Sequence, residues 1–234
     1  MNVIIAHREY DGLAQEDLQN MHRLRYRVFR QRLNWEVCGE NEQELDSYDL
    51  LNPVYLLVRD GGNSVIGSWR MLPTTGPNML RDTFPELLDG AGAPLGNDIW
   101  ELSRFATESN DRGHVAGYTS AVPFLMMQAA YTFAVQNDIR RYVTVTNVAL
   151  ERMLRRLGVN VVRLGNPRQI GVERAVALSI EIDDITHAAL FSAAYACIDA
   201  HHPEFARSAK LNSNTSMPLS AHLGDYQPAP RQTH

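Results

Sequence analysis

The chain has 234 residues, 27 acidic and 22 basic, with a formal charge of -5 and 44% apolar side chains. That size and composition suit one domain with its own core. No apolar run approaches the ~18–20 residues of a membrane helix, and no basic stretch leading into an apolar one opens the chain as an export signal would. Cys38 and Cys197, without any Cys-x-x-Cys or Cys/His cluster, exclude a structural zinc centre; they read as small apolar fillers and fit a reduced, cytoplasmic setting.

The elements follow from periodicity. Residues 2–6 read as a strand. Residues 16–32 read as a helix, with Leu18, Met21, Leu24 and Val28 near a 3.6 spacing. Residues 36–52 carry no apolar period and read as a loop. Residues 54–59 and 65–72 are β-rich and joined by Asp60-Gly61-Gly62-Asn63, a hairpin signal. A strand over 99–107 completes an antiparallel meander. A long apolar helix follows over 119–136, then a strand over 142–147 and a helix over 150–157 that stops at Gly158. Strands over 159–164 and 174–182, with a helix over 186–200 between or beyond them, end a single domain spanning 1–200. Residues 201–234 are polar and rich in Ser, His and Pro, and are expected to form a poorly ordered tail. This order describes an α/β (α+β) fold: a mixed central β-sheet flanked by helices in three α-β-α layers, as in GNAT-like N-acyltransferases.

Charge is segregated along the chain. Arg23, Arg25, Arg27, Arg30 and Arg32 occupy a stretch with no acid, and Glu36, Glu40, Glu42, Glu44, Asp46 and Asp49 follow with no base. A second basic stretch holds Arg152, Arg155, Arg156 and Arg163. Such a face on an acidic protein is either a solvated surface or a dock for an anionic macromolecule. Nucleic acid fits poorly, because the whole chain is acidic and carries no RNP, KH or helix-turn-helix signature. All basic residues but Lys210 are arginine, which makes lysine-centred chemistry improbable.

Arg25, Phe29, Trp35, Asp46, Asp49, Arg70, Glu101 and Arg104 occur in an order and spacing that resemble the acyl-homoserine lactone synthases, the autoinducer synthase family. Residues 74–88 (TTGPNMLRDTFPELL), 99–106 (IWELSRFA), 142–146 (YVTVT) and 170–178 (IGVERAVAL) resemble the same family. The resemblance implies N-acylation of S-adenosyl-L-methionine by an acyl group on acyl carrier protein. Ring closure then releases an N-acyl-homoserine lactone, methylthioadenosine and the carrier. S-adenosylmethionine is a substrate, and no cofactor or metal is implied.

By resemblance, Arg25, Phe29, Trp35 and Asp46 bind S-adenosylmethionine, while Asp49, Arg70 and Arg104 form an ion-pair network. Trp69, Thr144 and Thr146 lie along the acyl chain, a threonine in that strand being associated with 3-oxo chains; β-branched packing accounts for both threonines equally well. Arg152, Arg155, Arg156 and Arg163 would dock the acidic carrier. Glu101 is read either as the base that deprotonates the amine or as an ion-pair partner of Arg70 or Arg104. For Glu101 and Arg104 to face one cleft, the strand over 99–107 must carry a bulge, whose Ser103 and Phe105 amides could polarise the thioester carbonyl. Two rivals remain at this stage. One is a coenzyme-A-dependent acyltransferase, although residues 111–117 depart from the usual [Q/R]xxGx[G/A] loop. The other is a noncatalytic acyl-ligand-binding protein.

Overall fold

The computed structural model describes residues 1–8, 13–108 and 121–191. Strand β1 (Asn2–His7) is followed by helix α1 (Gln15–Arg25), which widens into a π-helical turn over Tyr26–Arg32. A short hairpin, β2 (Gly39–Glu40) and β3 (Gln43–Glu44), precedes the meander of β4 (Val54–Arg59), β5 (Val65–Pro73) and β6 (Ile99–Thr107). The one-turn helix α2 (Met79–Asp82) lies between β5 and β6. Helix α3 (Ala121–Gln136), β7 (Arg141–Asn147), α4 (Val148–Arg156), β8 (Val161–Arg163), β9 (Arg168–Ile170), β10 (Glu173–Glu181) and α5 (Asp184–Phe191) complete the described chain.

The main sheet runs β1-β4-β5-β6-β7-β10-β8, with β9 also on β10. Every pairing is antiparallel except β6 with β7, whose connection includes α3. Alternation of side chains gives the sheet two buried faces. Leu56, Trp69, Met71, Leu102 and Tyr142 pack with Met126 and Phe133 of α3 and Leu190 of α5. On the opposite face Tyr55, Leu57 and Ala106 pack with Leu18, Met21 and Leu24 of α1, and Ile99 and Val143 pack with Leu80 of α2. Burial of Met21 or Leu24, each at most 1% exposed, contributes about 1.5–3 kcal/mol and fixes α1 to the sheet. Helix α3 lies so close to β5 that a Cβ at Gly67 would come within 2.8 Å of both Met126 and Val122. The sheet is thus mixed and three-layered, as the sequence order implies.

Several local readings change. The helix over 16–32 is α-helical only to Arg25; the π turn is closed by Leu33 N–H donating to Val28 O at 3.0 Å. Residues 36–52 contain the β2–β3 hairpin, with Asn41 and Glu42 both at positive φ as a tight primed turn requires. A 3-10 turn over Ser47–Leu50 follows, with Asp46 and Asp49 capping each other's backbone amides. Cys38 is exposed and so is no core filler. Cys197, residues 111–117, the start of the predicted helix at 119–120, the remainder of that over 186–200 and the tail over 201–234 lie outside the described residues. Among the described residues no helix is long and apolar enough to cross a membrane.

Strand β6 positions the site. It pairs with β5 in regular register from Trp100 to Ser103, then places both Arg104 and Phe105 opposite Trp69 before pairing resumes at Ala106. Arg104 has φ +58, the left-handed conformation of a bulged residue. The extra residue resets the alternation. Glu101, Ser103 and Arg104 all meet groups on the α1–α2 side, and Phe105 turns to the α3 side against Trp69. The bulge begins at Arg104 itself. On its other edge β6 pairs with β7 only as far as Leu102 and Thr144. Beyond that pair the two strands part and leave a wedge-shaped cleft.

Candidate active site

On the α1–α2 side three arginines meet three carboxylates. Arg25, 1% exposed, donates from Nε to Glu44 and from both Nη atoms to Asp49, at 2.8 and 2.9 Å. Arg70 donates to Asp46 and, at 3.0 Å, to Asp49 Oδ1. Arg104 donates from Nε to Glu44 Oε1 at 3.0 Å and places Nη2 2.8 Å from Asp46 Oδ2. No donor is aligned on that Asp46 oxygen, so the contact is an ion pair without a well-directed hydrogen bond. Tyr55 O–H completes the set by donating to Asp49 at 2.7 Å.

Three positive and three negative groups balance, as burial of charge demands. Burial alone would raise the Asp49 pKa, but Arg25 and Arg70 outweigh it and hold the carboxyl far below the ordinary range. Burial and the Asp49 charge together push the Tyr55 hydroxyl well above its usual value.

This geometry reassigns Arg25. All three of its nitrogens face carboxylates beneath the surface, so it sits within the ion-pair network instead of presenting a fork to a ligand carboxylate. The π turn after it carries Phe29, which stacks on Trp35 with ring centres 5.3 Å apart. Arg104 lies over the same Phe29 ring at 5.6 Å. Glu44, absent from the sequence-based site, joins Arg25 to Arg104 and is fully buried.

Glu101 makes no ion pair with Arg70 or Arg104. Its Oε2 accepts the Met79 amide at 3.0 Å and its Oε1 the Leu80 amide at 2.7 Å, while Asn78 caps the Arg81 amide. The carboxylate therefore satisfies two otherwise orphaned donors at the start of α2. Burial raises its pKa, against the opposing pull of those amides and of Arg70 and Arg104. The Met79 sulfur lies 3.2 Å from Arg70 Nη2 and 3.5 Å from Arg104 Nη1, so α2 ties the carboxylate to the network.

The wedge between β6 and β7 is lined by Trp69, Ser103, Arg104 and Phe105 on one side and by Thr144 and Thr146 on the other. Thr144 donates its hydroxyl to Leu102 O at 2.8 Å, at the vertex of the wedge. Arg70 Nε donates to Ser103 Oγ at 3.1 Å and leaves the serine proton available. Ser103 stands in the regular ladder, whereas Phe105 falls in the bulge, between paired positions.

Farther out, Arg155 and Arg163 both donate to the buried Glu151, at 3.0 Å and at 2.8 and 2.7 Å. Arg152 and Arg156 are exposed and have no ion-pair partner among the described residues. No cluster of three or more metal-ligating side chains occurs among the described residues.

A mixed sheet splayed beside a bulged strand, with a charged network on one flank and an apolar cleft on the other, defines a GNAT-like acyltransferase fold. The autoinducer synthase family model matches residues 9–190. An acyl-homoserine-lactone synthase of Pseudomonas aeruginosa is 46% identical over 176 residues, covering 74% of this chain and 87% of that one. Among solved structures, the acyl-homoserine lactone synthase LasI superposes with a TM-score of 0.74 at 46% identity, covering 81% of this chain and 93% of that one. The coenzyme-A-dependent synthase BjaI, solved with S-adenosylmethionine and isopentyl-CoA, superposes at 0.72 with 25% identity over 88% and 89% of the two chains. The chain belongs to the autoinducer synthase family and is an acyl-homoserine lactone synthase, an acyltransferase of quorum-signal formation.

Proposed function

We propose that the chain joins S-adenosylmethionine to an acyl group delivered on acyl carrier protein, in the cytoplasm, without a cofactor. The observation that carries this reading is the bulge at Arg104, which makes one strand edge common to the charged pocket and the apolar wedge.

The sulfonium and adenine lie against the Phe29–Trp35 stack, where aromatic faces attract a cation. Asp46 receives the ammonium. Arg104 replaces Arg25 as the partner of the ligand carboxylate: it lines the cleft, and among the described residues its Nη1 has only a thioether, a weak acceptor, to relinquish. Arg25, Glu44, Asp49 and Arg70 hold this wall from behind.

Glu101 takes the ammonium proton, directly or through one water. Each of its oxygens accepts one amide and retains a second lone pair, and its raised pKa suits a base. The freed amine attacks the thioester carbonyl; the C–N bond forms, the C–S bond breaks, and the carrier thiol leaves with a proton. Ser103 O–H and the Phe105 amide are the donors for the transient oxyanion. The ligand carboxylate then attacks its own γ-carbon and expels neutral methylthioadenosine from the sulfonium. Holding the folded substrate can lower such an intramolecular barrier by about 7–11 kcal/mol.

The acyl chain enters the wedge past Trp69, Thr144 and Thr146. Because the Thr144 proton is committed to Leu102, Thr146 is the hydroxyl that would meet a 3-oxo group. Arg152, Arg155, Arg156 and Arg163 receive the acidic carrier, the first and third with no ion-pair partner among the described residues.

The test is mass spectrometry of an extract after incubation with S-adenosylmethionine and one acyl group on either acyl carrier protein or coenzyme A. Acyl-homoserine lactone and methylthioadenosine are expected in equal amounts, and faster from the carrier. The likeness to BjaI favours coenzyme A as the second reading, and faster turnover of that donor would select it. No lactone from either donor would overturn both in favour of an acyl-ligand-binding protein.

A further inference from the structure

The guanidinium nitrogens of the network can be accounted for one by one. All three of Arg25 face carboxylates. Arg70 gives Nε to Ser103 and Nη1 to Asp46 and Asp49; Arg104 gives Nε to Glu44 and sets Nη2 against Asp46. One nitrogen is left on each of these two, and both meet the same atom, the Met79 sulfur, Arg70 Nη2 at 3.2 Å and Arg104 Nη1 at 3.5 Å. A single thioether is the remaining partner of two charged forks.

The backbone fixes Met79 in this place. As the first residue of α2, just after the Asn78 cap, it donates its amide to Glu101 Oε2 at 3.0 Å, and its carbonyl accepts the Thr83 and Phe84 amides at 2.8 and 2.9 Å. Its side chain is buried against the two arginines. The two contacts are unequal. Arg70 has a fully buried side chain, whereas Arg104 keeps 13% of its side chain exposed and lines the cleft. The sulfur lies nearer the sealed fork.

A thioether is a weak acceptor, and the position requires one. A buried donor without a partner is costly, so Arg70 Nη2 needs an acceptor. A carboxyl or amide oxygen would serve it, but would also bind Arg104 Nη1 firmly. Sulfur satisfies the sealed arginine and holds the other loosely. We infer that Met79 is a positioning residue for substrate capture: its thioether keeps Arg104 Nη1 at the cleft edge and yields it to the carboxylate of the amino-acid substrate. This rests on the S-adenosylmethionine reading above and adds to it the group that sets how tightly that carboxylate is gripped.

The probes are S-adenosylmethionine and methylthioadenosine, which lacks the amino-acid end, each titrated calorimetrically onto the whole chain. The ratio of their affinities reports the grip on the carboxylate and cancels general damage to the pocket. Met79→Gln brings an amide oxygen to a similar reach. It should lower the ratio by about tenfold, the order of one hydrogen bond to a charged group, with methylthioadenosine held within about twofold. Met79→Leu nearly conserves volume and removes the acceptor. Its ratio should stay within about threefold of the parent's or rise, because Arg104 then has nothing to give up, while its melting temperature falls as Arg70 Nη2 loses its partner. Both variants keep the backbone amide that Glu101 accepts. An unmoved ratio in Met79→Gln, or a tenfold fall in Met79→Leu, overturns the proposal, and either variant decides alone should the other not fold. A parent that binds neither probe sinks the substrate reading itself, whereas a parent that binds both, with a ratio indifferent to residue 79, sinks the role of Met79 and leaves that reading standing.

Discussion

The two flanks of β6 are built on opposite principles. On the α1–α2 side, six charged groups and Tyr55 pair with one another; Arg25, Glu44, Asp49, Arg70 and Tyr55 are at most 1% exposed, and Asp46 and Arg104 face the cleft edge. On the α3 side, the walls are Trp69, Met127, Leu154 and Ile180, which hold their places by shape alone. The first flank is therefore intolerant of any single deletion, because an unpaired charge would remain in a dry site. The second tolerates volume changes and expresses them as altered selectivity.

The contrast can be broken most severely at Asp49. Asp49→Ala strips partners from Arg25, Arg70 and Tyr55 together, and a loss of about 3–5 kcal/mol is expected in denaturant unfolding. The same carboxylate makes the fold acid-sensitive. Its folded pKa lies below its unfolded one, so its stabilisation is complete above the ordinary aspartate range near ~4 and is lost as pH falls through and below that range. Unfolding free energies measured across pH 3–7 should therefore slope less steeply in the variant than in the parent.

Glu101 tests whether charge on this flank also drives chemistry. Glu101→Gln should lower kcat by about 10²–10⁴-fold if the side chain moves a proton. In the parent, the acid limb of the rate profile should fall above the usual glutamate range, because burial raises the pKa and the base must be ionised. A melting curve separates this from damage to α2, whose amides Glu101 also caps. Loss of folding in place of rate would make Glu101 a structural residue.

The smallest effect belongs to the surface. Arg152→Glu with Arg156→Glu should raise KM for the acyl carrier several-fold at low salt, about one decade at most, with the effect fading as salt rises. KM for S-adenosylmethionine should stay put. Reversing Arg155 acts less cleanly, since it also confronts the buried Glu151 with a like charge.

Much of this arrangement was legible in the chain because periodicity and turn chemistry act locally. The hairpin at Asp60-Gly61-Gly62-Asn63 formed where it was expected, with Asp60 Oδ1 accepting the Gly62 and Ser64 amides. The bulge was foreseeable from parity, since Glu101 and Arg104 cannot share a face of a regular strand. Glu44 was missed, although a signal existed: the expected ion-pair network set Arg70 and Arg104 against Asp49 alone, and a buried set must balance. The ion-pair partners of Arg25 were not legible, because its i, i+4 relation to Phe29 says that the two lie on one helical face, not which groups that face meets. Helix α2 has too few residues to show a period, and only the Asn78–Asp82 capping pair marks it.

Because Arg104 twists the strand without breaking it, the sheet needs no hole for two reactants to meet. On the proposed reading each would approach from its own side and touch the same short edge, so neither would block the other's doorway. Either reactant can then load first, and kinetics with both substrates varied should show random addition, not an obligatory order.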